Sequence, residues 1–215
     1  LPPCSVDSAL RRSIVAAHRC NRRKIVHDRP VIAVTLITPR LVLEPITLAV
    51  VEAMLAGRRA EAEGLVNASL PDAWPGRALI ERAFCAKLPA IRDNPDVRLW
   101  GDRVMITRQG PRRVVGSVVF HGAPDANGAV EIAYGVEQDA QGIGYATEAT
   151  RACVDWALAQ PDVRAVRATT PPWHAASRRV LDKLGMRVVG TREHELLGDL
   201  LEYERQAGQP LSCAI

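Results

Sequence analysis

The sequence predicts an α/β chain built on a mixed sheet with helices on both faces, and three observations carry that prediction. Three strand-like runs, 98–107, 113–121 and 129–136, follow one another with turn residues between them. Stretches with apolar residues at helical spacing stand before and after them. Between residues 130 and 150, the segment VEIAYGVEQDAQGIGYATEAT reads as an apolar strand, a glycine turn and a helix. With 47% apolar residues, 215 residues suffice for one good core.

Taken in order, residues 35–45 (TLITPRLVLEP) read as a first strand. Thr47 caps a helix that runs through Val50-Val51 and Met54-Leu55 toward Glu63. A Pro/Trp loop spans 67–75, and a second helix over 77–90 places Leu79-Ile80, Ala83-Phe84 and Leu88 on one side. The three strands come next, joined by Gln109-Gly110-Pro111 and by residues 123–128. Then follow a helix over 145–159, a strand over 164–170, a helix over 174–184 and strands near 187–194 and 200–205.

The glycine turn, Gln141-Gly142-Ile143-Gly144-Tyr145-Ala146, is the chemically informative stretch. The first turn of a helix leaves four N–H groups without intrahelical partners, at the positive end of the macrodipole. Glycines at 142 and 144 let the chain bend and let a phosphate approach with no Cβ in the way. A P-loop would need Gly-Lys-Ser/Thr, and Tyr145-Ala146 stand there instead. A dinucleotide fingerprint would need a third Gly or Ala where Thr147 stands, and an acid after the next strand, which ends in Thr169-Thr170-Pro171. Both common nucleotide motifs are thereby excluded.

Gln141-x-x-Gly144-x-Ala146 matches the Arg/Gln-x-x-Gly-x-Gly/Ala motif of the GNAT N-acetyltransferase superfamily. Residues 35–45, 115–120 (VGSVVF) and 130–134 (VEIAY) resemble the first, third and fourth strands of its ribosomal-protein N-terminal acetyltransferase branch. Residues 175–186 (AASRRVLDKLGM) resemble the second signature, Asn-x-x-Ser followed by an apolar helix ending in Leu-Gly-Phe. The resemblance covers about residues 35–207. It implies the GNAT acyl-CoA acyltransferase fold, a mixed, mostly antiparallel sheet, with acetyl-CoA as co-substrate and no metal. It also implies that Gln141, Gly142, Ile143, Gly144, Tyr145, Ala146 and Thr147 hold the pyrophosphate, and that backbone groups at Val136 bind the pantetheine arm where the fourth strand splays from the fifth.

Acetyl transfer to an amine needs an acceptor nitrogen stripped of its proton, donors for the oxyanion and a leaving thiolate. Strand alternation puts Val130, Ile132, Tyr134 and Val136 on one face, and Glu131, Ala133 and Gly135 on the other. Related enzymes often use a glutamate at the place of Glu131, which makes it the candidate base, acting directly or through water; Glu137 is the runner-up. The family's helix tyrosine is replaced by Leu181; the resemblance to the ribosomal-protein branch, where the signature serine is the alternative candidate, implies Ser177 as the acid, its other role being a local backbone bond. His174 replaces the signature asparagine as a candidate cofactor contact. Glu148 reads as an acid that complements the helix dipole.

The acceptor expected is a small-molecule amine or a protein N-terminus, shaped by the region 49–96, and a homodimer is left open. The alternative is a catalytically silent acyl-CoA-binding or regulatory domain. A nucleic-acid role would have to rest on the basic leader, since residues 1–40 hold eight of the 28 Lys/Arg and two of the 24 Asp/Glu, leaving the rest mildly acidic. That arm has no aromatic residue for stacking. Residues 1–34 are expected to be poorly ordered and dispensable for chemistry, 35–207 to form the acetyltransferase domain and 208–215 a tail. Cysteines 4, 20, 85, 153 and 213 make no Cys-x-x-Cys pair, and His194-Glu195 lacks a second histidine at Gly198, so neither a disulfide framework nor a zinc site is signalled. No apolar run reaches the ~18 residues of a spanning helix, and reduced thiols point to a cytoplasmic protein.

Overall fold

A computed structural model describes residues 34–72, 88–195 and 197–208. The expected leader and C-terminal tail, and all but the end of the helix expected over 77–90, lie outside the described residues. Eight strands make one sheet: β1 (Leu36–Ile37), β2 (Leu41–Pro45), β3 (Arg103–Thr107), β4 (Val114–Phe120), β5 (Ala129–Val136), β6 (Ala165–Thr170), β7 (Arg187–His194) and β8 (Gly198–Gln206). Their order is β1-β2-β3-β4-β5-β6-β8-β7, and every ladder is antiparallel except β5–β6. The described helices are α1 (Leu48–Leu55), α2 (Arg59–Val66), α3 (Leu88–Asp93), α4 (Pro95–Arg98), α5 (Tyr145–Leu158) and α6 (Ala175–Lys183).

Strand alternation builds two apolar layers. Met105, Val118, Phe120, Val130 and Ile132 pack under Ala149, Cys153 and Leu181 of α5 and α6. Val104, Ile106, Val114 and Val119 meet Val50, Val51, Ala62, Val66 and Ile91 of α1, α2 and α3. Helices thus cover both faces, as the binary pattern required. Arg103 is buried with its guanidinium 4.0 Å above the Trp156 ring and donates to the carbonyls of Val34 and Gly101. Those contacts explain how a charge survives in that layer.

Four boundaries differ from the sequence expectation. The first strand is a hairpin, β1 and β2, folded at Pro39-Arg40. The helix expected toward Glu63 is two helices, capped by the Thr47 hydroxyl on Val50 N–H and broken at Ala56-Gly57. Asn94 and Pro95 start α4, so β3 begins at Arg103 rather than 98. The last strand begins at Gly198, earlier than the expected 200.

Candidate active site

The site is organised by a gap in the sheet. β5 and β6 pair only over Ala129–Glu131 and Ala165–Arg167. Past that point β5 stays with β4 as far as Val136, while β6 stays with β8 as far as Thr170. The two strands therefore separate from Glu131 onward. The Glu131 carbonyl and the Glu137 N–H both bond to β4. Antiparallel alternation then turns the N–H and C=O of Tyr134 and Val136 toward the gap.

At the wide end of the gap lies the glycine turn. A 3₁₀ turn over Gln138–Ala140 leads into Gln141, whose Nε2 donates 2.9 Å to the Val136 carbonyl. Gly142 and Gly144 have φ of 77° and 92°, a region in which side chains with a Cβ are strained. Gly144 is the N-cap of α5. Among the described residues, no acceptor meets the backbone N–H of Gly142, Ile143, Gly144, Tyr145, Ala146 or Thr147. Gly144 to Thr147 open the N-terminus of the helix and Gly142 and Ile143 belong to the turn before it, so the unpaired donors lie in one short stretch of chain.

The turn is braced by a residue that the sequence reading passed over. Arg40, between β1 and β2, donates to the Ile143 carbonyl at 2.7 Å and to Glu148 Oε2 at 2.6 Å, and lies over the Tyr145 ring at 5.0 Å. Glu148 also accepts from the Thr38 hydroxyl at 2.6 Å and the Arg40 N–H at 2.8 Å. Burial would raise its carboxyl, but these donors hold it below the ordinary value. Glu148 thus ties the first hairpin to the turn as well as sitting at the helix's positive end. Beside this brace a cavity of about 630 Å³ is lined by Arg40, Thr147, Arg151 and Lys183.

At the narrow end stands Glu131, on the α1/α2 face. Its Oε1 accepts from Arg192 at 2.8 Å and from the Thr169 hydroxyl at 3.1 Å, and its Oε2 lies 3.7 Å from His121 Nδ1. The imidazole first and the guanidinium with it hold this carboxyl at about 2, against its partial burial. Glu137, by contrast, is raised by burial and by Asp139. Ser117, opposite Gly135 on the same face, has a buried hydroxyl with no partner among the described residues.

Ser177 lies on the other face. The Tyr134 hydroxyl sits 3.0 Å from Ser177 Oγ and donates to the Ser177 carbonyl at 3.1 Å, so a strand phenol reaches the helix where Leu181 leaves no tyrosine. Burial raises that phenol above its ordinary value, so it stays protonated at neutral pH. Strand alternation places Tyr134 on the face with Val130 and Ile132, and nothing local points to its partner. His174 is the N-cap of α6 with an exposed side chain against the exposed Trp173. Its imidazole makes no cap bond. Among the described residues no three His, Cys, Asp or Glu gather as a metal site, and no helix is long and apolar enough to cross a membrane.

Comparison with known proteins agrees with this geometry. The model of the acetyltransferase (GNAT) domain family matches residues 40–187. An uncharacterised N-acetyltransferase of Bacillus subtilis (strain 168), YjdG, is 31% identical over 84 residues, which are 39% of this chain and 50% of that protein. The chain thus spans about half the length of this curated relative. The fold is similar to a ribosomal-protein-S5-alanine acetyltransferase from Vibrio fischeri at 14% identity, covering 82% of this chain and 100% of that one, with a TM-score of 0.56. It is also similar to Mycobacterium smegmatis RimJ in complex with CoA-disulfide, at 21% identity, 78% and 82% coverage and a TM-score of 0.52. The family match runs from the hairpin that braces the turn, across the splayed strands, to the strand after α6, and with it the chain belongs to the GNAT acetyltransferase family.

Proposed function

We propose that this chain is an N-acetyltransferase that moves an acetyl group from acetyl-CoA to a primary amine by direct attack, both substrates being bound together. The observation that carries the proposal is the six unpaired N–H groups of Gly142–Thr147 at the open end of a splayed strand pair. They suit a diphosphate, and the gap leading from them suits an extended arm that ends near Glu131. Arg40, Arg151 and Lys183 line the adjoining cavity together with Glu148 and Asp155, and the excess of cations suits the nucleotide end. His174 is read as an outer contact at the rim. Bound acetyl-CoA supplies an activated acyl group whose thiolate leaves readily.

The chain's own groups divide the remaining work. Main-chain N–H at Tyr134 or Val136 donates to the thioester carbonyl as it becomes an oxyanion. Ser177, hydrogen-bonded to Tyr134, gives a proton to the departing sulfur. Glu131 supplies fixed negative charge where the acceptor ammonium arrives, on the face covered by α1 and α2. The acceptor is a small-molecule amine or a protein N-terminus; the similar Vibrio fischeri protein bears the name of a ribosomal-protein-alanine acetyltransferase. A cytoplasmic setting belongs to the same reading.

The test pairs a thermal-shift comparison of acetyl-CoA, CoA and NAD with free-thiol release over an amine panel. At 100 times its dissociation constant a ligand adds about 2.7 kcal/mol. A melt shifted by acetyl-CoA, with thiol release to at least one amine, is expected; a shift with NAD alone would end the proposal. The buried Leu181 at the tyrosine position favours a second reading, a silent acyl-CoA-binding domain. That reading requires a shifted melt with no release to any amine.

A further inference from the structure

β4 ends at Phe120, and the N–H of His121 donates to the Glu131 carbonyl at 2.9 Å, so the two residues stand opposite one another. Their side chains share the α1/α2 face with Ala133, the next residue of β5 on that side. One carboxylate oxygen is engaged by Arg192 and Thr169, and the other faces His121 Nδ1 at 3.7 Å. His121 keeps 47% of its side chain open to solvent. The apex of the gap lies at Glu131 itself.

We infer that His121 is the base of the acetyl transfer, taking the acceptor's proton at Nε2, directly or through one water, while Glu131 fixes its orientation. The inference rests on the acetyl-transfer reading and changes the part expected of Glu131 from base to orienting carboxylate. A carboxylate that accepts from Arg192 and Thr169 and faces His121 has little affinity for a further proton. A carboxylate at one ring nitrogen of an imidazole keeps the proton there, leaving the lone pair of the other nitrogen free. Separations in ligand-free sites are often looser than in the working complex, so 3.7 Å is compatible with a dyad. The charged groups around the imidazole are Glu131 from β5 and, behind it, Arg192 from β7 and Glu202 from β8.

The step balances without any further reactant. The ammonium gives one proton to Nε2, and the freed nitrogen pair forms the N–C bond to the acetyl carbon. After attack the nitrogen sheds its second proton; as the C–S bond breaks, Ser177 protonates the sulfur and is itself reprotonated, through water, by that second proton, while His121 returns the first to water. The products are the amide, CoA with a free thiol and one proton.

Nitrogen-15 NMR of the imidazoles, in the full chain without ligand, comes first. Neutral His121 is expected as the Nδ1–H tautomer, lost in Glu131→Gln; an Nε2–H tautomer would overturn the inference. Kinetics follow with His121→Asn, which keeps a donor toward Glu131 but has no second ring nitrogen, and with His121→Gln. Both are expected to lose about 100-fold in kcat at pH 7, with CoA affinity unchanged and with activity regained as pH rises and free amine becomes abundant. Retention of the unsubstituted pH profile and rate by both variants would overturn the imidazole's role and leave acetyl transfer standing. No thiol release by the unsubstituted chain to any amine would bring down acetyl transfer, and the base with it.

Discussion

Replacing Glu131 by glutamine removes the charge that joins β4, β5 and β7 at the apex of the gap. The carboxyl lies at about 2 against an ordinary 4.5, a separation worth roughly 3 kcal/mol at most. His121 and Arg192 are each 47% exposed, so solvent screening reduces this to about 1–2 kcal/mol at pH 7. A depressed carboxyl contributes its full stability above the unfolded value near 4.5 and loses it as pH falls through the folded value near 2. Urea unfolding of both proteins, in steps from pH 7 to pH 2.5, reads the difference directly. The gap between them should shrink steadily as pH falls from about 4.5 toward 2.5, where the carboxylate is lost. A gap that holds its size across the acid window, or no gap at pH 7, would refute the electrostatic reasoning.

Three further outcomes follow from packing and charge. A Cβ on Gly116 would run into the Gly135 carbonyl oxygen, so Gly116→Ala should cost about 2 kcal/mol or more and lower Tm by several degrees; an unchanged melt would contradict the close strand approach. Arg40→Ala should weaken CoA binding several-fold, about 1 kcal/mol, because the Ile143 carbonyl and Glu148 lose their brace; calorimetry checks this, and unchanged affinity would contradict it. Burial pushes the Cys153 thiol up to about 12 despite Arg103 nearby, so peptide mapping after a thiol reagent should find Cys153 unlabelled until the chain unfolds.

What was legible in the sequence was local. β5 and α5 came out close to their observed bounds because alternation, two glycines and helical spacing lie within twenty residues of one another. Glu131 was placed on its face by the same alternation. The break at Gly57 was not seen, because the apolar spacing continues through it in register with a single helix. Arg40 was counted only as charge, since its partners Ile143 and Glu148 lie more than a hundred residues away. Alternation places Tyr134 on one strand face and no more, because nothing near it announces a hydroxyl contact 43 positions on. His121 meets Glu131 only through hairpin register, and that register shifts with every residue of the turn. Long-range pairings of polar side chains carry no period, so the partners of Arg40 and His121 have no local signal.

Amide NMR during an acetyl-CoA titration bears most directly on the glycine turn. The N–H signals of Gly142, Ile143, Gly144, Tyr145, Ala146 and Thr147 should move downfield together and gain protection from hydrogen exchange, and Gly144→Val should abolish both changes. Saturable binding that leaves those six signals in place, or an equal response to NAD, would contradict a main-chain diphosphate cradle.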